Sequence, residues 1–157
     1  KIILDGPNKR ELIPLNKFFI SYRKTRLKKG QFIYSVKIPI YKKNIFKAYK
    51  ISKRFDDDIS SVCGSFNIEM DSNRIKKIKI AYGGMSEVPK RAKNTEKILI
   101  NSIFSEKIFI KAIKNLERDY KPIDDMRASK LYRMEIAKNL LMKCFLEVKS
   151  KKLLRVN

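Results

Sequence analysis

The sequence predicts an α+β fold: an antiparallel sheet of about four strands followed by about three helices packed on one face. Two observations carry this. Apolar residues recur at every second position through the first half of the chain and at helical spacing from Pro89 onward. The breaks between the strand-like runs are short, which favours an antiparallel meander, because parallel neighbours need crossovers of about a dozen residues or more.

The elements follow in order. In GQFIYSVKIPI, Phe32, Tyr34, Val36, Ile38 and Ile40 alternate with Ile33, Ser35 and Lys37, the pattern of a half-buried strand. After the turn YKKN, the run NIFKAYKISKR reads as a second strand. A third, Ser60 to Met70, sets Val62, Gly64, Phe66, Ile68 and Met70 on one face. The turn DSNR leads to a fourth, with Ile78, Ile80 and Tyr82 in phase. The period then changes. Ala92, Thr95 and Leu99 share one helical face, and Phe109, Ala112, Ile113, Leu116 and Tyr120 share another, with Ser105 and Glu106 as its start signal. After KPIDD, a long helix from Ala128 to Ser150 carries the stripe Met134, Ala137, Leu140, Leu141, Cys144, Phe145 and Val148, in which Cys144 reads as a small core residue. Residues 1–27 fit this sandwich poorly: DGPNKRELIPL reads as the end of a strand pair, and FFISYRKT as an aromatic and basic loop.

Missing residue types narrow the chemistry. The 157 residues contain no His, so there is no imidazole base, no Ser-His or Cys-His nucleophile pair and no His-ligated metal site. Two cysteines, Cys63 and Cys144, are too few for an iron–sulfur cluster, which takes about four thiolates. No catalytic side chain and no metal site is expected, so demanding chemistry must come from a bound cofactor or another domain. The apolar runs are far shorter than the roughly 20 residues that span a bilayer, and KIILDGPNKREL is charged where a signal peptide would be apolar. The expectation is a cytoplasmic chain with reduced thiols and no membrane partner.

The formal charge of +22 suggests a phosphate binder. Yet the 28 Lys and 10 Arg spread over the whole chain, and Ile, at 22, is enriched beside Lys while Trp is absent. An AT-rich coding sequence produces that combination whatever the protein does. A small basic nucleic-acid-binding protein, using YRKT and RIKK, is therefore the alternative reading; its affinity would fall with salt at a log-log slope of about −0.9 per phosphate contacted on duplex DNA.

Four segments in order go beyond composition: FFISYRKTRLKKGQFIYSVKIP, AYKISKRFDDDISSVCGSF, IKIAYGGMSEVPKRAKNTE and DYKPIDDMRASKLYRMEIAKNLL. Together, with YRKT, KRFDDDIS, AYGGM and DMRAS as their distinctive parts, they resemble the C-terminal part of the FAD-binding subunit of the xanthine dehydrogenases, in the molybdenum hydroxylase family. The resemblance runs from about Phe18 to Glu147 and weakly back to Lys1. It implies that residues 1–27 are the tail of a preceding FAD-binding domain and that 28–157 form the flavoprotein C-terminal domain. It also implies a place in an enzyme that passes electrons from iron–sulfur clusters, reduced at a molybdenum site, through FAD to NAD during purine hydroxylation. The FAD would be shared with an upstream domain, and the molybdenum cofactor and iron–sulfur clusters would belong to partner domains or subunits. A folded but inactive remnant of such an enzyme is the further alternative.

Three positions carry over by resemblance: Ile33 as an apolar flavin contact, Lys50 as the lysine before the acidic loop, and Asp57 as the acidic residue beside the flavin face. Residues 53–59 would govern the approach of NAD, although Arg54 and Phe55 stand where the family often has two arginines. The strand phase places Ile33 opposite Phe32, Tyr34 and Val36, and Lys50 opposite Tyr49 and Ile51, so both point away from the helices. A cation near the pyrimidine edge of a flavin favours the reduced, negatively charged ring. Asp56, Asp57 and Asp58 are either an electrostatic gate or a turn paired with Lys53, Arg54 or Arg91. Surface pairs contribute only about 0–1 kcal/mol, a poor reason for three adjacent carboxylates. Asp124, Asp125, Arg127 and Arg133 read as helix-start acids and ion-paired packing residues. Gly83 and Gly84 end a strand without GxGxxG spacing and read as a bulge or tight turn.

Overall fold

The computed structural model describes residues 1–7, 9–54 and 58–154. The chain falls into two compact units, Lys1–Lys42 and Lys43–Asn157.

In the first unit, β1 (Ile2–Asp5) lies between β2 (Glu11–Ile13) and β5 (Phe32–Val36), antiparallel to both. A short helix α1 (Leu15–Phe18) leads into the small hairpin β3 (Phe19–Ser21) and β4 (Lys24–Thr25). Among the described residues, Ile2, Leu4 and Phe18, with Ile13 beside them, form its core. The Phe32–Val36 strand was expected in the sheet under the helices; it pairs instead with β1, Leu4 opposite Ile33. The reason lies in its side chains: Phe32, Ile33, Tyr34 and Val36 are all exposed, so its alternation does not describe one face turned to a helical core.

The second unit is the predicted α+β sandwich. Its sheet runs β6 (Ile45–Ile51), β7 (Val62–Asp71), β8 (Arg74–Gly83), β9 (Lys90–Arg91), each antiparallel to its neighbour, so the fourth strand is the two-residue β9. The helices are α2 (Lys93–Leu99), α3 (Glu106–Lys114), α4 (Leu116–Asp119) and α5 (Lys130–Ser150). Val62, Phe66 and Ile68 of β7 and Ile78, Ile80 and Tyr82 of β8 are buried as the period predicted, packed with Phe109, Leu116, Ala137, Leu141, Cys144 and Phe145. A register shift between Glu69 and Met70 brings Ile75 into the core out of phase with Ile78 and Ile80.

Side chains reaching across elements explain several local features. A Cβ at Gly64 would lie 2.9 Å from the Tyr82 ring and 3.1 Å from that of Phe66, so the glycine leaves room for a row of rings, Tyr49, Phe66, Tyr82 and Tyr120, with successive centroids 5.5–5.8 Å apart. The helix predicted through Tyr120 divides at Asn115, whose N–H bonds back to both Ala112 and Ile113. Asp119, at the end of α4, accepts from the Asn94 and Thr95 N–H groups at 2.9 and 2.8 Å and from the Thr95 hydroxyl at 2.7 Å, capping α2 from a distance. Among the described residues no helix is long and apolar enough to cross a membrane.

Candidate functional site

The sheet of the second unit has one face under helices and one open. Register rows fix what the open face presents: Phe46–Asn67–Lys79, then Ala48–Ser65–Ala81–Arg91, then Lys50–Cys63–Gly83. Small side chains therefore dominate the part of the face nearest the end of β6. Lys50 is exposed there and has no hydrogen-bond or ion-pair partner among the described residues. This agrees with its predicted orientation, opposite Tyr49 and Ile51.

Beneath Lys50, β6 is anchored to α5. Glu147, 2% exposed, accepts from the Tyr49 hydroxyl at 2.9 Å, pairs with Lys47 at 2.9 Å, and takes the Leu154 N–H at 3.2 Å. Burial by itself would raise the Glu147 carboxyl; the hydrogen bonds from Lys47, Tyr49 and the Leu154 amide outweigh it and hold the group below its ordinary value. Burial raises the Tyr49 phenol, and its hydrogen bond to Glu147 raises it further, so it remains a donor. Cys144, in the same core, is pushed up to about 12 by burial, which makes it an inert thiol.

The segment after β6 is tied at both ends. Ser52 bonds the Arg54 carbonyl at 2.8 Å, and Asp58 accepts from the Arg54 and Ile59 N–H groups at 3.2 and 2.9 Å. Burial works to raise the Asp58 carboxyl, but those amides and the Arg54 charge keep it low, so Asp58 serves as a turn residue. Lys53 donates to the Met126 carbonyl at 2.7 Å, and the buried Ser61 donates its N–H to Ile51 at 2.8 Å.

The helix-side support of this region was not foreseen in its detail. Arg133, only 3% exposed in the first turns of α5, bonds the carbonyls of Ser61 and Gly84 through Nη1 and the Asp125 carboxylate through Nη2. Its pairing with Asp125 is the predicted ion-paired packing; its contact with two strand ends was missed. One signal was present: Arg133 lies in phase with Ala137, Leu140, Leu141 and Cys144, a charge on an apolar stripe. Gly84 has φ +80°, and a Cβ there would come within 2.3 Å of the Ser61 carbonyl oxygen. The tight turn read at Gly83 and Gly84 is thus also a close approach of two backbones.

Of the three predicted site residues, Ile33 lies exposed on β5 in the first unit, but not opposite Val36 as strand phase predicted: a register shift at Tyr34 pairs Ile33 with Leu4 and Val36 with Ile2, which puts both on one face. Lys50 lies exposed on β6 in the second unit. Asp57 is outside the described residues.

Residues 47–148, from Lys47 in β6 to Val148 in the last turn of α5, match the profile of the CO dehydrogenase flavoprotein C-terminal domain. This chain belongs to that family. Xanthine dehydrogenase of Dictyostelium discoideum is 33% identical over 167 aligned residues, which cover 98% of this chain and 12% of that protein. The glyceraldehyde dehydrogenase medium chain of Sulfolobus acidocaldarius is 30% identical over 94% of this chain and 52% of its own length. Among solved structures, CO dehydrogenase from Oligotropha carboxidovorans superposes with a TM-score of 0.85 at 17% identity, over 96% of this chain and 53% of that one, and shares the fold. The chain thus spans between about an eighth and about half of these curated relatives. Resemblance read from KRFDDDIS, AYGGM and DMRAS and the family match over 47–148 reach the same flavoprotein C-terminal domain.

Proposed function

We propose that this domain forms one wall of a flavin site in a xanthine dehydrogenase-type oxidoreductase, with Lys50 placed against the ring. One observation carries the reading: within a flavoprotein C-terminal domain, Lys50 projects without a partner among the described residues from an open sheet face lined by Ala48, Ser65, Ala81 and Gly83. Side chains this small leave a planar ring room to approach, and an ammonium with no partner among the described residues suits a ring that becomes anionic on reduction, so these residues fit FAD. FAD supplies the conversion between two-electron and one-electron transfer. The chain's own part is to orient and stabilise: Lys50 favours negative charge at the ring edge.

In this reading electrons arrive from iron–sulfur clusters reduced by a molybdenum centre and leave to NAD, with purine as the reducing substrate. The partners are the molybdenum-binding subunit and the iron–sulfur domain of the same enzyme. The exposed apolar strand Phe32–Val36 supports a covering partner, since contiguous exposed apolar surface marks interaction sites. The purine assignment draws on the Dictyostelium relative, while other relatives are named for glyceraldehyde or nicotinate. That variety fits a domain which serves the flavin and leaves substrate choice to the molybdenum part.

Lys50→Met in the FAD-replete enzyme tests the reading. The flavin midpoint potential is expected to fall and flavin reduction to slow, with molybdenum-site turnover to an artificial dye retained; an unchanged potential returns Lys50 to an ordinary surface charge. Asp57→Ala is expected to alter the NAD dependence of turnover while purine-to-dye activity stays near normal. Equal loss of both activities would identify Asp57 as a turn residue.

A further inference from the structure

We propose that Arg133 is a positioning residue for the flavin site: from the helix side of the sheet it fixes the strand ends that present Lys50 on the open side. The inference rests on the flavin-site reading of Lys50. Its geometry begins at Ser61, whose N–H bonds the Ile51 carbonyl at 2.8 Å, beside Lys50, while its own carbonyl accepts from Arg133 Nη1 at 2.5 Å. The same nitrogen donates to the Gly84 carbonyl at 2.9 Å. Lys50, Cys63 and Gly83 form the last register row of the open face, and each stands within two residues of a backbone group in this clamp. The guanidinium therefore ties the start of β7 to the end of β8, and the Ser61 N–H carries that tie on to the end of β6.

The clamp is itself held. Asp125 receives Arg133 Nη2 at 2.5 Å and accepts the Arg127 and Ala128 N–H groups at 2.8 and 3.1 Å. Met126, in the same segment, receives Lys53 at 2.7 Å. The strap 124–129 thus reaches the chain on the Lys53 side, and Arg133 reaches it on the Ser61 side. Gly84 completes the arrangement, because its lack of a Cβ lets the end of β8 lie against the Ser61 carbonyl.

Stability alone is a weak reason for a buried guanidinium at this point. A well-packed apolar side chain often replaces a buried ion pair without loss, whereas one group bonding two backbone carbonyls and a carboxylate specifies a geometry. A lysine retains the charge but has a single nitrogen, which cannot reproduce the guanidinium's planar two-nitrogen fork.

The test compares Lys50→Met, Arg133→Lys, Arg133→Met, Asp125→Asn and Lys50→Met/Arg133→Met in the FAD-replete enzyme, reading the flavin midpoint potential, the visible circular dichroism of the flavin and the Tm. Asp125→Asn is the gentler variant should Arg133→Met fail to fold. The expected result is a lowered potential and altered flavin dichroism in Arg133→Lys and Arg133→Met alike, a smaller change of the same sign in Asp125→Asn, and no further shift when Arg133→Met is added to Lys50→Met. Should the Arg133 and Asp125 variants melt lower yet keep the wild-type potential and dichroism while Lys50→Met shifts them, the positioning role is overturned and the flavin reading stands. A wild-type flavin in Arg133→Lys with a shifted one in Arg133→Met would show a bare charge effect and overturn it too. If Lys50→Met leaves the flavin unchanged, the flavin reading of Lys50 fails, and with it the claim that Arg133 acts through Lys50.

Discussion

Gly84 shows how far a single residue constrains this fold. It combines φ +80° with a backbone contact, so an alanine would carry both left-handed strain and a methyl group 2.3 Å from the Ser61 oxygen. Strain of this kind costs about 1–3 kcal/mol, and displacing a carbonyl held by a buried arginine adds to it. Gly84→Ala is therefore expected to destabilise by on the order of 2–4 kcal/mol, seen as a Tm lower by several degrees at roughly 2–4 °C per kcal/mol. Gly83, where the nearest atom to a new Cβ is Cys63 Cβ at 3.9 Å, should accept alanine with little change. The GlyGly pair was visible in the sequence, but which glycine bears the constraint was not. That distinction depends on Ser61, 23 residues earlier in the chain.

At the scale of elements, β6 depends on α5. The strand is an edge with one neighbour, and Lys47 and Tyr49 on its inner face bind Glu147 near the end of the helix. Breaking a buried pair by removing one partner typically costs about 3–5 kcal/mol. Lys47, 23% exposed, recovers part of its hydration, so Glu147→Gln is expected to lose roughly 2 kcal/mol near neutral pH. Because the folded carboxyl sits below 4.5, its contribution is complete above that value and disappears as pH falls through the lower folded value. The stability difference between wild type and Glu147→Gln, measured by urea unfolding, should hold constant from pH 7 to about 5 and shrink steadily toward pH 3. A constant difference throughout would place the benefit in packing and not in charge. Heptad-like spacing made α5 legible, since its apolar stripe spans the whole helix; Glu147 was not, because a glutamate beside Val148 looks like a solvated position until Lys47 and Tyr49 are brought to it.

Across the whole molecule, the five glycines, Gly6, Gly30, Gly64, Gly83 and Gly84, never take GxGxxG spacing. A dinucleotide's phosphates need such a backbone cradle at a helix start. The 157-residue chain by itself is expected to give no tight complex in a titration followed by flavin fluorescence. Submicromolar binding would show that the second unit holds more of the cofactor than one wall. The many exposed lysines do not alter this expectation, because scattered surface ammonium groups supply charge without the directed backbone N–H donors that anchor a pyrophosphate.

Sequence alone determined the class and order of the elements, because alternation along β7 and β8 and the apolar stripes of α3 and α5 are local patterns that burial then satisfies. It also identified the family, through short segments whose order and spacing exceed composition, and it oriented Lys50, because strand phase separates it from Tyr49 by one residue. Tertiary structure decided what rests on partners distant in the chain. It paired Phe32–Val36 with Ile2–Asp5, since an apolar alternation does not say which sheet it enters. It completed the second sheet with the two-residue strand Lys90–Arg91, too short to carry a period. It also joined Arg133 to Ser61 and Gly84: a guanidinium finds carbonyls by direction in space, and backbone carbonyls leave no mark in the sequence.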